Sequence, residues 1–196
     1  MKSLFTIVAV LGLLFAVSGN ASAQDRPMWI GAGADILLPM GNFGDAFSTG
    51  FGGTALFQYD IRPEIGVGVE TGYIVYTGKD YNVGGQNIEG PNYSGLPLRA
   101  FGKYYFMTNP AALRVYAKAG LGVFFGSTGE QTQTIFGQTY TTPSVSSTDF
   151  NFAVGGGVEY PLTANGRTQL DASARYESTD GNGAIGLRLG VNFRIN

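Results

Sequence analysis

The 196-residue chain contains no cysteine and no histidine. Without cysteine it can form no disulfide, and it lacks the residue that carries the lipid of a bacterial lipoprotein. Without histidine it cannot build a serine–histidine triad or a histidine-ligated metal site. We therefore expect a protein that is not an enzyme and that holds neither a metal nor another cofactor.

Charge and long apolar runs are also scarce. Charged residues make up 13% of the chain, the formal net charge is −2, and the lysines and arginines form no cluster, which argues against nucleic acid as a partner. The one long apolar run, Leu4 to Val17, is shorter than the ~20 residues of a membrane-spanning helix. It follows Lys2 and precedes Ala21-Ser22-Ala23, a pattern typical of a cleavage site. The sequence predicts a cleaved signal peptide over residues 1–23 and one domain over 24–196.

The chain is rich in glycine and aromatic residues, and its apolar residues alternate with polar ones. From Ile185 to Ile195 every second residue is apolar, and Gly, Arg or Asn stands between them. A period of two residues predicts a strand with one apolar and one polar face. Segments of this kind predict eight strands, over residues 28–38, 50–60, 64–77, 94–106, 113–127, 148–160, 167–178 and 184–195.

The connections between these strands alternate in length. Short, turn-like connections follow the second, fourth and sixth strands, at 61–63, 107–112 and 161–166. Longer segments rich in Gly, Ser, Thr and Asn follow the first, third and fifth, at 39–49, 78–93 and 128–147, and the last connection, 178–183, is short. This alternation is typical of membrane barrels, whose short turns lie on one side of the membrane.

Aromatic residues lie at the two ends of the apolar faces, and small aliphatic residues lie between them. This distribution predicts two girdles at the interfaces of a bilayer, because a tyrosine ring there is buried while its hydroxyl stays hydrated. A sheet in lipid must close, since lipid cannot satisfy an open edge. The predicted fold is all-β, an eight-stranded antiparallel up-and-down transmembrane β-barrel. Its predicted girdle includes Tyr59, Tyr73, Tyr104, Phe106, Tyr160 and Tyr176.

The polar face then lines the lumen. It carries both signs of charge, and an eight-stranded barrel is only wide enough for its own side chains, so we expect paired charges that fill the interior. Glycines on this face leave room for long side chains. The predicted lumen network consists of Asp35, Glu70, Arg99, Lys103, Lys118, Asp171, Arg175 and Arg188. Arg114, Glu159 and Arg194 fall on the same face, as do the apolar Leu37 and Leu56.

The end of the chain carries the most specific motif, Arg188-x-Gly190-x-x-Phe193-x-Ile195. It resembles the polar-x-Gly-x-x-aromatic-x-hydrophobic signal of the outer-membrane protein β-barrel domain family, the small OmpA- and OmpX-type barrels. The resemblance implies a monomer in the lipid of the bacterial outer membrane, with both termini periplasmic and the barrel-assembly machinery as a partner during biogenesis. Asn196 departs from the pattern, because many such proteins end on the aromatic residue.

Four functional hypotheses remain open from the sequence. The first is a non-enzymatic outer-membrane barrel with a filled lumen and an envelope-structural or surface-interaction role. The second is a soluble periplasmic barrel that binds an apolar ligand, and the third is a lipid-modifying barrel that uses carboxylates and Tyr or Ser. The fourth is an adhesin that acts through the loops at 78–93 and 128–147. Asp149, Asp180 and Glu130 lie in or near these loops and could face a cation, or could be ordinary solvated charges. The extracellular ligand is not indicated.

Overall fold

The computed structural model describes residues 26–83, 86–88, 90–135 and 138–196. The predicted signal peptide, residues 1–23, lies outside the described residues. No helix in the described ranges has the length and apolar character needed to cross a membrane. The elements in chain order are β1 (Met28–Pro39), α1 (Gly41–Ala46), β2 (Phe47–Arg62), β3 (Ile65–Gly78), β4 (Tyr81–Val83), β5 (Gln86–Ile88), β6 (Tyr93–Tyr105), β7 (Arg114–Thr128), β8 (Gln131–Ile135), β9 (Gln138–Thr142), β10 (Val145–Pro161), β11 (Thr168–Thr179) and β12 (Asn182–Arg194).

Eight of these strands form one closed antiparallel barrel. Each pairs with the next in the order β1, β2, β3, β6, β7, β10, β11, β12, and β12 pairs with β1. In that closing pair Ile30 lies opposite Phe193, and Asp35 lies opposite Arg188. The predicted eight-stranded barrel is therefore confirmed, and the predicted strand ends agree to within about three residues.

The barrel has two different ends. The turn end carries Met28, Arg194 and the three short connections after β2, β6 and β10. The loop end carries α1, the hairpin β4–β5, the hairpin β8–β9 and the turn between β11 and β12. In that turn Asp180 and Gly181 have φ angles of 46° and 82°, as in the hairpin turns that favour Asp-Gly. Neither α1 nor the two hairpins was predicted from the sequence, because segments this short have little periodicity.

The two faces of the sheet differ sharply in accessibility. On β7, Ala119 and Leu121 are exposed, whereas Tyr116 and Phe124 on the other face are buried. Large apolar side chains are exposed on all eight barrel strands, and most charged side chains of these strands are buried on the other face. A continuous exposed apolar surface of this kind suits lipid rather than water. The soluble-barrel hypothesis requires the opposite arrangement, with the apolar face inside.

Glycine at two inward positions makes room for an arginine. A Cβ atom at Gly33 or at Gly190 would lie 2.9 Å from Cζ of Arg188. Any side chain at either position would therefore push the guanidinium away from its partners. The strands lose some intrinsic stability at these glycines, and the lumen gains space for a long charged side chain.

Candidate functional site

The predicted lumen charges all lie on the inward face, where strand alternation aims them at the barrel axis. Six of the eight are nine-tenths or more buried, and Lys118 and Arg175 are partly accessible. Arg114 and Glu159 are buried among them. Arg194 is different: it lies at the turn end and donates a hydrogen bond to the carbonyl of Asn196 at 2.7 Å. Arg194 is paired with the inward-facing Trp29, so it keeps the lumen side of the alternation at the last position of β12, at the rim of the barrel.

Glu159 on β10 is the centre of the ion pairs nearest the turn end. Its carboxylate accepts hydrogen bonds from Lys103 Nζ at 2.7 Å and from Arg114 Nη2 at 2.5 Å. The Tyr105 hydroxyl donates to the same carboxylate at 3.2 Å. A buried charge is costly unless it is paired and hydrogen-bonded, and these contacts meet both conditions for Glu159.

Aromatic rings close the lumen below Glu159. The single tryptophan, Trp29, donates from Nε1 to Asp60 at 2.9 Å, and Gln58 donates to the other oxygen of Asp60 at 2.6 Å. The guanidinium of Arg114 lies 5.4 Å from the Trp29 ring centre and 4.0 Å from that of Tyr105. Cation–π contacts at these distances are favourable where water is excluded. Side chains therefore occupy the cross-section at the turn end.

Asp171 on β11 holds the middle of the lumen together. Arg188 Nη1 donates to it at 3.0 Å, and the Tyr116 hydroxyl lies 3.1 Å from both of its oxygens. Asn192 donates to it at 3.2 Å, and Lys103 Nζ lies 3.4 Å away. Since Lys103 also pairs with Glu159, the middle layer is joined to the turn-end layer.

Arg99 on β6 is the centre of the layer nearest the loop end. Its Nε pairs with Glu70 at 2.8 Å, and its Nη1 pairs with Glu177 at 3.0 Å. Glu177 also pairs with Arg175 Nε at 2.9 Å, and Glu70 also pairs with Lys118. Arg99 is only 1% exposed, so its charge depends entirely on these partners.

Asp35 and Thr54 connect the layer nearest the loop end to the middle layer. Arg175 Nη1 pairs with Asp35 at 2.6 Å, and the Thr54 hydroxyl donates to Asp35 at 2.8 Å. Thr54 in turn accepts a hydrogen bond from Arg188 at 2.9 Å. One continuous network therefore runs from the turn end to the loop side of the lumen.

The network is balanced in charge and includes all eight barrel strands. Within the described residues, its cations are Arg99, Lys103, Arg114, Lys118, Arg175 and Arg188, and its carboxylates are Asp35, Asp60, Glu70, Glu159, Asp171 and Glu177. A cavity of about 20 Å³ remains beside it, which is room for about one water molecule. We call this set the lumen network.

The network predicted from the sequence left out several members. Glu177 follows the polar face of its strand but was not assigned to the network, and Asp60, Thr54 and Asn151 were not proposed. All four occupy alternate strand positions whose side chains point inward, and all four are buried. The alternation of side chains along each strand could have identified them. The pairing of each carboxylate with its cation depends on how the strands are staggered around the barrel. A single sequence does not reveal this stagger.

A second feature, the vestibule, is a cavity of about 490 Å³ at the loop end. Its lining includes five aromatic rings with neighbouring centres 4.9 to 6.3 Å apart, from Phe43, Phe47, Tyr76, Tyr93 and Phe124. It also includes the polar residues Ser147, Asp149, Glu177, Thr179, Asp180 and Asn182, and the hydroxyls of Tyr93 and Ser147 are in hydrogen-bond contact. Leu37 and Ile74 are fully buried against the aromatic cluster, so the expected inward direction of Leu37 has a packing role.

The predicted girdle residues lie on the outward face. Tyr73, Tyr104, Phe106 and Tyr160 are 51 to 62% exposed, and Tyr176 is 37% exposed. Tyr59 is half-buried on the same face. Tyr104 and Phe106 contact each other edge to face, with ring centres 5.4 Å apart.

The predicted assembly motif is divided between the two faces. Arg188 and Gly190 face the lumen, whereas Phe193 and Ile195 are exposed on the outside. Asn196 accepts a hydrogen bond from the Met28 amide at 2.7 Å and donates one to the Arg26 carbonyl at 2.8 Å. The residue that departs from the motif therefore ties the two chain ends together. Recognition of the motif during assembly stays a prediction.

Comparison with known proteins points to one class. The family model described as "Outer membrane protein beta-barrel domain" matches residues 7–194. No curated protein matches the chain.

Three solved structures illustrate the similarity of fold. Neisserial surface protein A is 20% identical, with 86% of this chain and 97% of that chain covered and a TM-score of 0.60. A major outer membrane protein of Thermus thermophilus is 16% identical, with 88% and 100% covered and a TM-score of 0.63. Ail, the attachment invasion locus protein of Yersinia pestis, is 16% identical, with 88% and 100% covered and a TM-score of 0.54, in a complex with the heparin analogue sucrose octasulfate.

Proposed function

Because the chain belongs to the outer-membrane protein β-barrel domain family, we propose that it is a closed, non-enzymatic barrel that presents its loop end to the cell exterior as an interaction surface. The family places the chain in the bacterial outer membrane. The short turns and both termini then lie in the periplasm, as is usual for barrels with one short-turn side. The role is envelope-structural, with the long loops available for contacts outside the cell.

The lumen network is the observation that carries this proposal. Paired charges from all eight strands cross the lumen in three connected layers, and Trp29 and Tyr105 fill its turn end. A small solute would have to break several buried ion pairs to pass. Such a step is costly, since each separated charge would be left without a partner.

Planar-bilayer recording tests the closed lumen. We expect the refolded protein to insert without producing steady unitary currents in molar potassium chloride, because no continuous aqueous path crosses the network. An open general porin, recorded in the same chamber, controls for the sensitivity of the measurement. Reproducible, long-lived current steps from the folded protein would contradict a closed barrel.

Polyanion binding is the weaker candidate for the loop end. Ail was crystallised with a heparin analogue, but its similarity to this chain establishes only the fold. Among the described residues, the loop end here carries Asp45, Asp80, Glu130, Asp149 and Asp180 against the single cation Lys79. Five carboxylates and one lysine repel a sulfated ligand, so the loop surface favours cationic or neutral partners.

A further inference from the structure

We propose that the vestibule binds a small organic ammonium ion. The barrel fold supplies this cavity but does not imply its chemistry, which comes from adjoining aromatic and acidic parts of one lining. The volume of about 490 Å³ lies within the ~300–1,000 Å³ typical of small-molecule sites. Binding itself depends only on the cavity, and exposure of the site to the exterior rests on the proposed orientation.

The aromatic wall is built as one packed unit. Phe43 and Phe47 come from α1 and the start of β2, and Tyr76, Tyr93 and Phe124 come from three adjacent barrel strands. Tyr93 is central, since its ring lies 5.7 to 6.3 Å from the other four ring centres. Aromatic faces attract cations, and sets of such rings are a common way to bind quaternary ammonium groups.

The polar part of the lining, the carboxylate wall, supplies negative charge. Asp149, Glu177 and Asp180 line it, and the described residues that line the cavity include neither Lys nor Arg. Glu177 is already paired with Arg99 and Arg175, so the net negative charge of the lining comes from Asp149 and Asp180. Asp149 accepts a hydrogen bond from the Ser147 hydroxyl at 2.6 Å.

Backbone structure holds Asp180 at this wall. Its φ of 46° belongs to the tight turn between β11 and β12, and its amide donates to the Phe150 carbonyl at 3.1 Å. The carboxylate is therefore carried on a short, hydrogen-bonded turn rather than on a long loop. A side chain on such a turn loses little conformational freedom when a ligand binds.

The charge distribution of the whole chain supports a cation rather than a neutral ligand. The lumen network is balanced, the described loop end is acidic, and the described turn end carries Arg26, Arg62, Arg167 and Arg194 against Glu64. An acidic rim concentrates cations near the vestibule and does so less at high salt. A phosphate beside the ammonium group would face the carboxylate wall, so an ammonium ion without a phosphate fits better than a zwitterionic lipid head group.

Titration of choline against matched probes tests the proposal. The refolded protein is kept in a maltoside detergent, which brings no ammonium group of its own, and binding is followed by calorimetry or saturation-transfer NMR. We expect choline to bind saturably and at least about tenfold more tightly than 3,3-dimethylbutan-1-ol, its uncharged isostere, since ~1.4 kcal/mol is a factor of ten. Phosphocholine should bind more weakly than choline. Equal binding of choline and the alcohol, preference for phosphocholine, or no saturable choline binding would overturn the proposal.

Isosteric variants locate the site. Asp149→Asn with Asp180→Asn should weaken choline binding about tenfold and leave the alcohol unchanged, because only the Coulombic attraction is removed. Asp45→Asn removes an exposed carboxylate of α1 that does not line the vestibule, and it should change choline binding less than about twofold. Wild-type choline affinity in the double variant would overturn this assignment. A heat-modifiable band on gels confirms in each case that the barrel is folded.

Discussion

Replacing Arg99 with methionine is expected to lower the free energy of unfolding by about 3–5 kcal/mol, as for other buried ion pairs that lose one partner. Arg99 is 1% exposed and holds Glu70 and Glu177 at 2.8 and 3.0 Å. The methionine fills much of the same volume but brings no charge. Of the ion pairs described above, Glu70 then keeps the one with Lys118, and Glu177 keeps the one with Arg175.

Urea titration of the protein in lipid vesicles measures this cost. Arg62→Met is the matched control, because Arg62 is an exposed arginine at the turn end, outside the lumen network. The control should change stability by less than about 0.5 kcal/mol, as is usual for surface substitutions. If Arg99→Met costs no more than Arg62→Met, the ion pairs around Arg99 do not stabilise the barrel.

Placing arginine at Ala119 should cost about 2–4 kcal/mol, the penalty for a cation on the lipid face near the bilayer centre. Ala119 lies between Ala117 and Leu121 on the outward face of β7, near the middle of the strand. A guanidinium there meets hydrocarbon and can reach water only by stretching along the barrel.

The same urea titration compares Ala119→Arg with Ala119→Leu. Leucine adds bulk without charge and should be close to neutral, since lipid accommodates an apolar side chain. A small cost for Ala119→Arg in lipid, equal to that of Ala119→Leu, would mean that this face does not meet the bilayer.

Strand alternation made most of the barrel predictable. The rule that successive side chains point to opposite faces placed Asp35, Glu70 and Asp171 inside and Tyr104 and Phe106 outside. Residues at strand ends were harder to assign, as Arg194 illustrates, because it keeps the inward alternation while its guanidinium bonds the carbonyl of Asn196 at the rim. The hairpin at 131–142 is polar and short, so it differs little in pattern from an irregular loop.

The vestibule could not have been found in the sequence. Phe43 belongs to a six-residue helix that no periodicity indicated, and its ring meets Tyr76 and Tyr93 across the mouth of the barrel. Asp180 was noted as a charge near a loop base, but the cavity that it shares with the aromatic rings appears only when six segments of the chain come together. Packing between residues that are far apart in the chain produces no local sequence pattern.

Thiol labelling on intact cells tests the central claim most directly, that a closed barrel spans the outer membrane with its loop end outside. The natural chain has no cysteine, so single substitutions report without background. Gly129→Cys places a thiol at an open position of the loop end, and Ala112→Cys places one at an exposed position of the turn end. Ser173→Cys replaces a residue that lines the lumen.

The label is a polyethylene-glycol maleimide too large to cross the outer membrane. We predict that Gly129→Cys reacts on intact cells, that Ala112→Cys reacts only after the outer membrane is opened, and that Ser173→Cys reacts only after unfolding. Reaction of Ala112→Cys on intact cells at the rate of Gly129→Cys, or of Ser173→Cys in the folded barrel, would contradict this account.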